Sequence, residues 1–334
     1  MTAPRTVVVT GASAGVGRAT ARAFADRGDR VALLARGEAG LAGAAADVKA
    51  RGGRPFVVPV DVADAEAVDG AAAAVESELG PIDVWVNNAM TAVLAPVQET
   101  TADEFRRVTE VTYLGCVHGT LAALARMAPR DHGTIVQVSS ALAHRSIPLQ
   151  ASYCGAKHAI KGFTDALRCE LLHDHSQVRV TMVALAGMNT PQFTSVATTL
   201  RRRPRPVAPI YQPEVAARAI VGAADRPRRE IWVGAPTPFV IWGGRLAPGL
   251  IDRYLARTNY EGQQDDEPIP ADRPSYLWDP LPGDAGAHGP YGDESHARSL
   301  QYEVSSRRRL VAGAVGAVGA GAAGARAVWR RSRS

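Results

Sequence analysis

The chain has 334 residues, of which 46% are hydrophobic and 21% charged, enough to bury the core of one large domain and leave an appendage. Its net charge of +5 comes with no nucleic-acid-binding motif, so the charge does not indicate a nucleic-acid partner. The three cysteines form no CxxC pair and no metal-ligand spacing with histidines, which predicts no metal site and idle thiols in a reducing cytoplasm.

The N-terminal segment predicts a dinucleotide-binding turn. Residues 5–10 are rich in β-branched side chains and predict a buried strand, and residues 18–27 predict a helix. The turn between them contains Gly11, Ser13, Gly15, Val16 and Gly17. Glycines let the backbone approach a pyrophosphate, and the N-terminus of a helix attracts its negative charge. A flexible turn is the alternative, but the flanking strand and helix favour cofactor binding.

Strand-like and helix-like segments alternate along the next two hundred residues. The apolar runs that predict strands are 31–34, 56–60, 84–86, 135–138, 178–184 and 231–234. Ala-rich helical stretches separate them, a rhythm typical of an α/β fold with a parallel sheet. Because the first strand begins at Thr6, the sequence predicts no secretory signal and a cytoplasmic catalytic domain.

The end of the second predicted strand bears on the choice of cofactor. At this point a carboxylate would hold the ribose hydroxyls of NAD, and a guanidinium would hold the 2′-phosphate of NADP. The strand ends in Arg36, which can make a bidentate, charge-assisted contact with a phosphate. The sequence therefore predicts NADP(H), with a solvated loop arginine as the alternative.

Three proton-handling side chains occur at the spacing of a carbonyl/alcohol redox site. Tyr153 and Lys157 are four residues apart and share one helix face, so we expect the ammonium to lower the pKa of the phenol. A tyrosine tuned in this way can exchange protons with a substrate oxygen. Ser140 lies thirteen residues upstream of the tyrosine. A solvated helix face would show the same Tyr–Lys spacing, so this interpretation depends on the cofactor turn.

These motifs together resemble those of one family. The chain resembles the short-chain dehydrogenase/reductase family, whose motifs occur here in the family's order: Thr10-Gly11-x-x-x-Gly15-x-Gly17, Asn87-Asn88-Ala89, Ser140 and Tyr153-x-x-x-Lys157. The resemblance covers roughly residues 6–234. It implies a Rossmann-type doubly wound parallel sheet of about seven strands, with helices on both faces and the cofactor at the carboxyl ends of the strands. It also implies a homodimer or homotetramer built on the helices that carry Thr112 and Tyr153.

The resemblance implies a role for each reacting side chain. The reaction is reversible hydride transfer between a nicotinamide and a carbonyl or alcohol carbon, with Tyr153 as acid or base and Ser140 bonded to the substrate oxygen. Lys157 lowers the pKa of Tyr153 and binds the nicotinamide ribose. The neighbouring Ser139 is expected to face the opposite side of its strand and pack there.

Further cofactor contacts follow from the family's pattern. Asp61 and Val62 are expected at the adenine ring, and Asp61 is also a candidate cap for the following helix. Asn88 and Ala89 are expected beside the cofactor. Gly187 and Thr190 are expected in the turn that meets the nicotinamide.

The chain departs from the family's pattern at three positions. Met90 replaces a glycine and either narrows the pocket or packs against the wall. Thr112 replaces an asparagine that in the family joins a proton relay to the lysine through a water molecule. A threonine hydroxyl can hold a water but is shorter than an amide, so we expect a less efficient relay. Ala186 replaces a proline and loses its stiffness.

The sequence predicts four regions along the chain. Residues 1–234 form the Rossmann domain, including a mobile substrate lid at 192–211. Residues 235–258 are an apolar segment that covers the active site or meets lipid. Residues 259–306 are rich in Asp, Glu, Pro and Gly and predict a poorly ordered linker before the basic tail.

Two basic segments leave alternatives open. The lid contains four arginines, at positions 201, 202, 203 and 205. One interpretation is that they recruit an acidic substrate or an anionic surface. The other is that the prolines among them keep the segment extended and the arginines solvated. The tail, residues 307–334, contains a Gly/Ala-rich run at 310–325 bracketed by arginines. That pattern indicates either membrane association or a flexible basic tail, since the run is short for a membrane span.

The sequence therefore predicts an NADP(H)-dependent oxidoreductase that interconverts a carbonyl and an alcohol. Apolar lid and C-terminal segments favour a hydrophobic substrate such as a lipid, a steroid or a polyketide-like compound. Two alternatives remain: an NADP-binding sensor or scaffold with little turnover, and a membrane-tethered structural module.

Overall fold

The structure is a computed structural model that describes residues 3–270 and 273–307. Its strands are β1 (Thr6–Thr10), β2 (Arg30–Ala35), β3 (Arg54–Pro59), β4 (Val84–Asn87), β5 (Val93–Leu94), β6 (Thr134–Ser140), β7 (Arg179–Leu185), β8 (Ala197–Thr198), β9 (Arg202–Pro204), β10 (Ile210–Tyr211), β11 (Glu230–Val233), β12 (Gln264–Pro268) and β13 (Ser295–His296). Its helices are α1 (Gly15–Ala25), α2 (Glu38–Ala50), α3 (Ala65–Leu79), α4 (Ala102–Val108), α5 (Gly115–Met127), α6 (Ala151–His173), α7 (Gln192–Ser195), α8 (Pro213–Asp225), α9 (Pro236–Leu246), α10 (Pro248–Thr258) and α11 (Leu300–Ser306). A π-helical turn, Thr109–Leu114, joins α4 to α5.

Seven strands form one parallel sheet in the order β11-β7-β6-β4-β1-β2-β3. Parallel neighbours need crossover connections, and the helices between successive strands supply them. The strand order reverses between β1 and β4, so the carboxyl ends of these strands leave a crevice. This confirms the predicted Rossmann-type sheet of about seven strands.

The hydrophobic core lies on both faces of this sheet. Val7 and Val9 of β1 pack on one face with Phe24 of α1, whereas Val8 packs on the other face with Trp85. All five side chains have 0% exposure. Because side chains alternate along a strand, a register slip of one residue would exchange the two faces, so the two buried layers fix the register.

The C-terminal segment 259–306 differs from the predicted poorly ordered linker. It contains β12, β13 and α11, with β12 antiparallel to β9 and β13 parallel to β10. The Tyr302 hydroxyl of α11 donates to the Arg218 carbonyl at 3.1 Å. The segment is attached to the rest of the chain by backbone hydrogen bonds and ion pairs. A prediction from amino-acid composition cannot detect such contacts.

Membrane association, which the sequence left open, concerns the tail. Within residues 3–270 and 273–307, no helix is both long enough and apolar enough to cross a membrane. The run at 310–325 lies outside the described residues.

The arginine run of the predicted lid pairs with acidic residues of the C-terminal segment. The pairs are Arg202–Glu261, Arg203–Glu267 and Arg205–Glu294. Together with the pairing of β9 and β12, these contacts join the lid to the C-terminal segment. The charge of these three arginines is therefore compensated within the chain.

Replacing Arg202, Arg203 and Arg205 together with glutamine is expected to lower the melting temperature by a few degrees at low salt, because three ion pairs are lost. Salt screens exposed charges, so the loss should shrink in 1 M NaCl. Thermal melting at both salt concentrations measures this. Arg201→Gln is the matched control, since Arg201 is exposed; an equal loss in the control would contradict the role of the pairs.

Candidate active site

A cavity of about 650 Å³ opens at the carboxyl edge of the sheet, beside the crevice between β1 and β4. Most of the residues predicted for the site line this one cavity: Gly11, Ser13, Gly15, Val16, Arg36, Asp61, Val62, Asn88, Ala89, Ser140, Tyr153, Lys157, Gly187 and Thr190. Gly17 and Thr112 are absent from its lining. The fold thus brings together residues from six strand ends, from the start of α1 and from the first two turns of α6.

The glycine turn after β1 has the backbone geometry that only small residues allow. Gly11 and Gly15 have φ values of +65° and +55°, in the left-handed region. A Cβ on Gly17 would lie 2.2 Å from the Gly11 carbonyl oxygen and 2.5 Å from the amide nitrogen of Asn88. Asn88 in turn donates its side-chain amide to the Thr10 carbonyl at 2.9 Å. Gly17 therefore serves the close packing of α1 on the turn.

Two features of this turn fit a dinucleotide. The residue before α1 is Ala14, so no side chain caps the first amides of this eleven-residue helix, and the Gly15 amide donates to a backbone carbonyl, that of Gly286. Next to the turn, where a Cβ on Gly15 would lie 3.2 Å from the Thr190 side chain, the Thr190 hydroxyl is buried and has no hydrogen-bond partner within the described residues. A buried hydroxyl of this kind suits a polar ligand group, as expected for the nicotinamide side.

The three proton-handling side chains meet where β6 ends and α6 begins. Ser140 is the last residue of β6, and its hydroxyl donates to the Leu185 carbonyl at 3.4 Å. This hydroxyl lies close enough to Tyr153 to lower the pKa of the phenol in part. The Lys157 ammonium donates to the Val138 carbonyl at 2.8 Å and lies 5.5 Å from the centroid of the Tyr153 ring. The Ser140 hydroxyl also accepts from the Leu142 amide at 3.1 Å, which fixes its position.

Burial controls the protonation of this cluster. It lowers the pKa of Lys157, which is 2% exposed, to about 8. It raises the pKa of Tyr153 above its ordinary value, and the nearby Ser140 hydroxyl opposes that rise only in part. The expected net lowering of the Tyr153 pKa by Lys157 is therefore not found, because desolvation of the phenolate outweighs the favourable interactions. The phenol is protonated at neutral pH and can donate a proton.

Thr112 lies outside this cluster. Its hydroxyl donates to the Thr91 carbonyl at 2.8 Å and accepts from the Thr91 amide at 3.0 Å. The hydroxyl hydrogen of Thr112 is thus used by a backbone carbonyl, next to Met90, and is not directed to Lys157. The structure therefore gives no support for the predicted relay through Thr112. Met90 lines the cavity and packs against the apolar cluster of Ala92, Leu94 and Val196, so it forms part of the wall, as one of the two alternatives predicted.

Arg36 is not the solvated loop arginine of the alternative interpretation. Its Nη1 donates to the Trp278 carbonyl at 2.6 Å, and its Nη2 donates to the Tyr276 carbonyl at 2.6 Å. Burial lowers the pKa of Arg36, an effect that Asp61 opposes. The guanidinium is held in a defined place beside the cavity.

Asp61 also has defined partners. Its carboxylate accepts from the Ala63 amide at 3.0 Å and from Arg107 Nη2 at 2.5 Å. Burial opposes these contacts, but together they hold the pKa of Asp61 below its ordinary value. The cap of α3 is Asp64, whose side chain accepts from the Ala67 amide, so the prediction of Asp61 as the helix cap was wrong. An acid at position 64 is simply better placed, one residue before the helix.

Sequence reasoning missed the segment that covers the cavity beside the glycine turn. Residues 273–291, here called the C-terminal strap, contribute Tyr276, Pro280, Leu281, Gly283 and Ala285 to the lining. The Gly15 amide donates to the carbonyl of Gly286 in the strap at 3.0 Å. The one available signal was the apolar triplet 276–278 within a polar segment, and Leu277 at its centre is 1% exposed.

The apolar segment 235–258 forms α9 and α10, which line part of the cavity. Its contributions to the lining are Pro236, Thr237, Phe239, Val240, Ile251, Tyr254 and Leu255. Phe239 is nevertheless 79% exposed, and Leu246 is 80% exposed. The segment thus reaches the cavity with one part of its surface and leaves apolar side chains in solvent with another.

Comparison with known proteins decides the family. The family model described as short chain dehydrogenase matches residues 5–201. The chain belongs to the short-chain dehydrogenase family. The match contains the glycine turn, Ser140, Tyr153 and Lys157.

Relatives extend the match beyond these residues. An uncharacterized oxidoreductase, YxnA, of Bacillus subtilis is 30% identical over 310 residues, which are 92% of this chain and 86% of that protein. Dehydrogenase/reductase SDR family member 7B of Bos taurus is 30% identical over 261 residues, 75% of this chain and 80% of that protein.

Two solved structures share the fold. A short-chain dehydrogenase from Streptomyces avermitilis is 27% identical, with a TM-score of 0.64, covering 78% of this chain and 97% of that one. An alcohol dehydrogenase from Thermococcus sibiricus, complexed with 5-hydroxy-NADP, is 26% identical, with a TM-score of 0.60, covering 69% of this chain and 95% of that one. Membership of this family makes the chain an oxidoreductase of the kind that uses a nicotinamide cofactor.

The buried Lys157 predicts a pH dependence of stability. Its pKa falls from 10.5 in the unfolded chain to about 8 in the fold, so between these values the unfolded state binds more protons. The free energy of unfolding should therefore rise with pH from about 8 to 10.5, relative to a Lys157→Met variant, by at most about 3 kcal/mol. Urea unfolding of both proteins at pH 7 and pH 10.5 measures the difference; parallel pH profiles would contradict it.

Proposed function

We propose that the protein is an NADP(H)-dependent oxidoreductase that interconverts a carbonyl and an alcohol on a hydrophobic substrate. The observation that carries this proposal is the meeting of Ser140, Tyr153 and Lys157 in the cavity that the glycine turn also lines. A bound nicotinamide supplies or accepts the hydride. The side chains of the protein manage the proton and the position of the substrate oxygen.

The nearness of the Ser140 hydroxyl and the Tyr153 phenol supports a site for the substrate oxygen between them. An oxygen within reach of both hydroxyls would accept from the two donors at once, which orients the carbonyl and polarises it. Because burial keeps Tyr153 protonated at neutral pH, the phenol is the proton donor when a carbonyl is reduced. The Lys157 ammonium, fixed on the Val138 carbonyl, compensates the negative charge that the phenol acquires. Lys157 would also bind the nicotinamide ribose, as the family pattern implies.

The preference for NADP(H) rests on Arg36. A guanidinium has five N–H donors, and the carbonyls of Tyr276 and Trp278 take two of them, which leaves donors for a phosphate. Arg36 follows the end of β2, where the family's NAD-binding members would need a carboxylate. The alcohol dehydrogenase from Thermococcus sibiricus is complexed with an NADP analogue, which agrees with this choice. Asp61 and Val62 line the cavity next to Arg36 and would meet the adenine.

The hydrophobic nature of the substrate follows from the wall of the cavity near Tyr153. Ala92, Leu94 and Val196 form a buried apolar cluster there, with Met90 and Tyr276 packed against it. Apolar side chains of α9 and α10 continue this wall. A pocket of this composition favours apolar carbonyl compounds over small polar sugars.

We also propose that the protein is a cytoplasmic homodimer or homotetramer. The predicted interface lies on the helices that carry Thr112 and Tyr153. The π-helical turn of Thr112 continues into α5, and Tyr153 lies on α6; Leu121 of α5 is 56% exposed and Leu172 of α6 is 68% exposed. Burying such side chains against a second copy would stabilise an assembly. The predicted membrane contact involves the tail, residues 307–334, most of which lies outside the described residues.

A sensor that binds NADP(H) with little turnover is the second candidate. The commitment of the Thr112 hydroxyl to Thr91 favours it, because the lysine then lacks the predicted relay partner. Turnover measurements with Tyr153 variants separate the two functions.

Cofactor choice is tested by titrating the protein with NADPH and NADH. Arg36→Asp is expected to weaken NADPH binding by about 10- to 100-fold, because a charge-assisted phosphate contact is lost and repulsion is added. NADH binding should change much less, and it serves as the internal control for damage to the strap. Arg36→Lys should keep part of the preference. Equal losses for both nucleotides would contradict the assignment of Arg36 to the 2′-phosphate.

Turnover is tested with Tyr153→Phe on a hydrophobic ketone such as 2-decanone. The variant should lose about 10²- to 10⁴-fold in kcat, because the proton donor is removed while the wall keeps its shape. NADPH fluorescence should show that the nucleotide still binds. Tyr260→Phe, which changes an exposed tyrosine at the end of α10, should keep wild-type turnover. Unchanged kcat in Tyr153→Phe would exclude the proposed role.

A further inference from the structure

Tyr276 of the C-terminal strap is a polar side chain in the cavity that neither the family motifs nor the proposed mechanism uses. Its ring packs on the cluster of Ala92, Leu94 and Val196, as the Tyr153 ring also does. Its hydroxyl is buried and has no hydrogen-bond partner within residues 3–270 and 273–307. A buried hydroxyl without a partner is unfavourable, so its presence calls for a ligand atom that satisfies it.

The backbone around Tyr276 is fixed from two sides. Its amide donates to the Ser195 carbonyl of the lid at 3.2 Å, and its carbonyl accepts from Arg36 Nη2 at 2.6 Å. The next residue, Leu277, is 1% exposed and packs in a separate buried cluster. The strap therefore cannot turn Tyr276 away from the cavity without losing these contacts.

A second anchor holds the strap to the substrate lid. The Arg273 guanidinium donates to the Phe193 carbonyl at 3.3 Å and also to the Val196 carbonyl. Val196 belongs to the apolar cluster on which the Tyr276 ring packs. Lid and strap thus form one wall of the substrate pocket, and the Tyr276 hydroxyl is the unpartnered polar atom that the strap adds to it.

The phenols of Tyr153 and Tyr276 both belong to rings that pack on the same apolar cluster. Burial raises the pKa of Tyr276 above its ordinary value, and the charge of Tyr153 acts in the same direction. Arg273 and Arg36 oppose this effect. The Tyr276 phenol therefore stays protonated at neutral pH and is available as a hydrogen-bond donor.

We propose that the Tyr276 hydroxyl donates a hydrogen bond to a second oxygen of the substrate, apart from the oxygen that Tyr153 protonates. This inference rests on the proposed function and narrows its substrate class to hydrophobic carbonyl compounds with a second hydrogen-bond acceptor. A site that offers a buried donor discriminates against an analogue without the acceptor, because the donor is then left unpaired. Tyr276 is a specificity residue of the strap and takes no part in the proton transfer.

The test compares 2-decanone with 2,3-, 2,5- and 2,9-decanedione, which share a chain length and place a second carbonyl at increasing distance. Reduction is followed through NADPH consumption by the full chain. The wild-type protein should prefer at least one dione over 2-decanone in kcat/KM. Tyr276→Phe should reduce that preference about 3- to 10-fold, the effect of one hydrogen bond, and the change should lie in KM.

The matched control is Tyr291→Phe, which removes another hydroxyl of the strap. That hydroxyl donates to the Pro204 carbonyl at 3.1 Å and is absent from the cavity lining. The control should keep the preference for the dione. Loss of the preference in both variants would show a structural role of the strap and overturn the proposal for Tyr276.

Three other results separate this inference from the proposed function. If the wild type reduces 2-decanone and prefers none of the diones, Tyr276 has no second oxygen to bind and only this inference fails. If Tyr276→Phe weakens NADPH binding and lowers kcat/KM for all four ketones by one factor, the hydroxyl serves the cofactor and the inference fails again. If NADPH binds and none of the four ketones is reduced, both the proposed function and this inference fail.

Discussion

One buried hydrogen bond, from the Lys157 ammonium to the Val138 carbonyl, holds the parts of the site in register. It ties α6 to β6, the strand that ends in Ser140. A buried ammonium without a partner would be strongly unfavourable, so the helix cannot shift along the strand without a large loss of stability. Tyr153 lies one helical turn before the lysine, and this bond consequently sets the distance between its phenol and the Ser140 hydroxyl. The low dielectric that strengthens the bond also lowers the pKa of Lys157 and raises that of Tyr153.

The parallel sheet supplies the second half of the site. Its strand order reverses between β1 and β4, so the glycine turn after β1 and Asn88 after β4 meet at one edge. The C-terminal strap closes this edge with backbone carbonyls, which accept from the Gly15 amide and from Arg36. Gly15 and Arg36 both belong to the proposed nucleotide site, so the strap would link nucleotide binding to the wall that carries Tyr276.

Much of the fold and of the site could be predicted because both depend on short-range patterns. Alternating apolar runs and Ala-rich helices predicted the parallel sheet, and the glycine turn and the Tyr–Lys spacing predicted residues that line one cavity. The contacts that sequence reasoning missed join residues far apart in the chain. Arg36 and Tyr276 are 240 residues apart, and Arg107 and Asp61 are 46 apart, so no local pattern marks them. The direction of the Tyr153 pKa was also missed, since it depends on how deeply the fold buries the phenol.

The central claim is that this chain transfers a hydride between a nicotinamide and a carbonyl carbon. The most direct measurement is incubation of the full chain with 2-decanone and NADPH that carries deuterium at the transferable C4 position, followed by mass spectrometry of the product. The account predicts 2-decanol with one deuterium on the carbinol carbon. NADPH binding without deuterium in the alcohol would contradict it and would favour a nucleotide sensor.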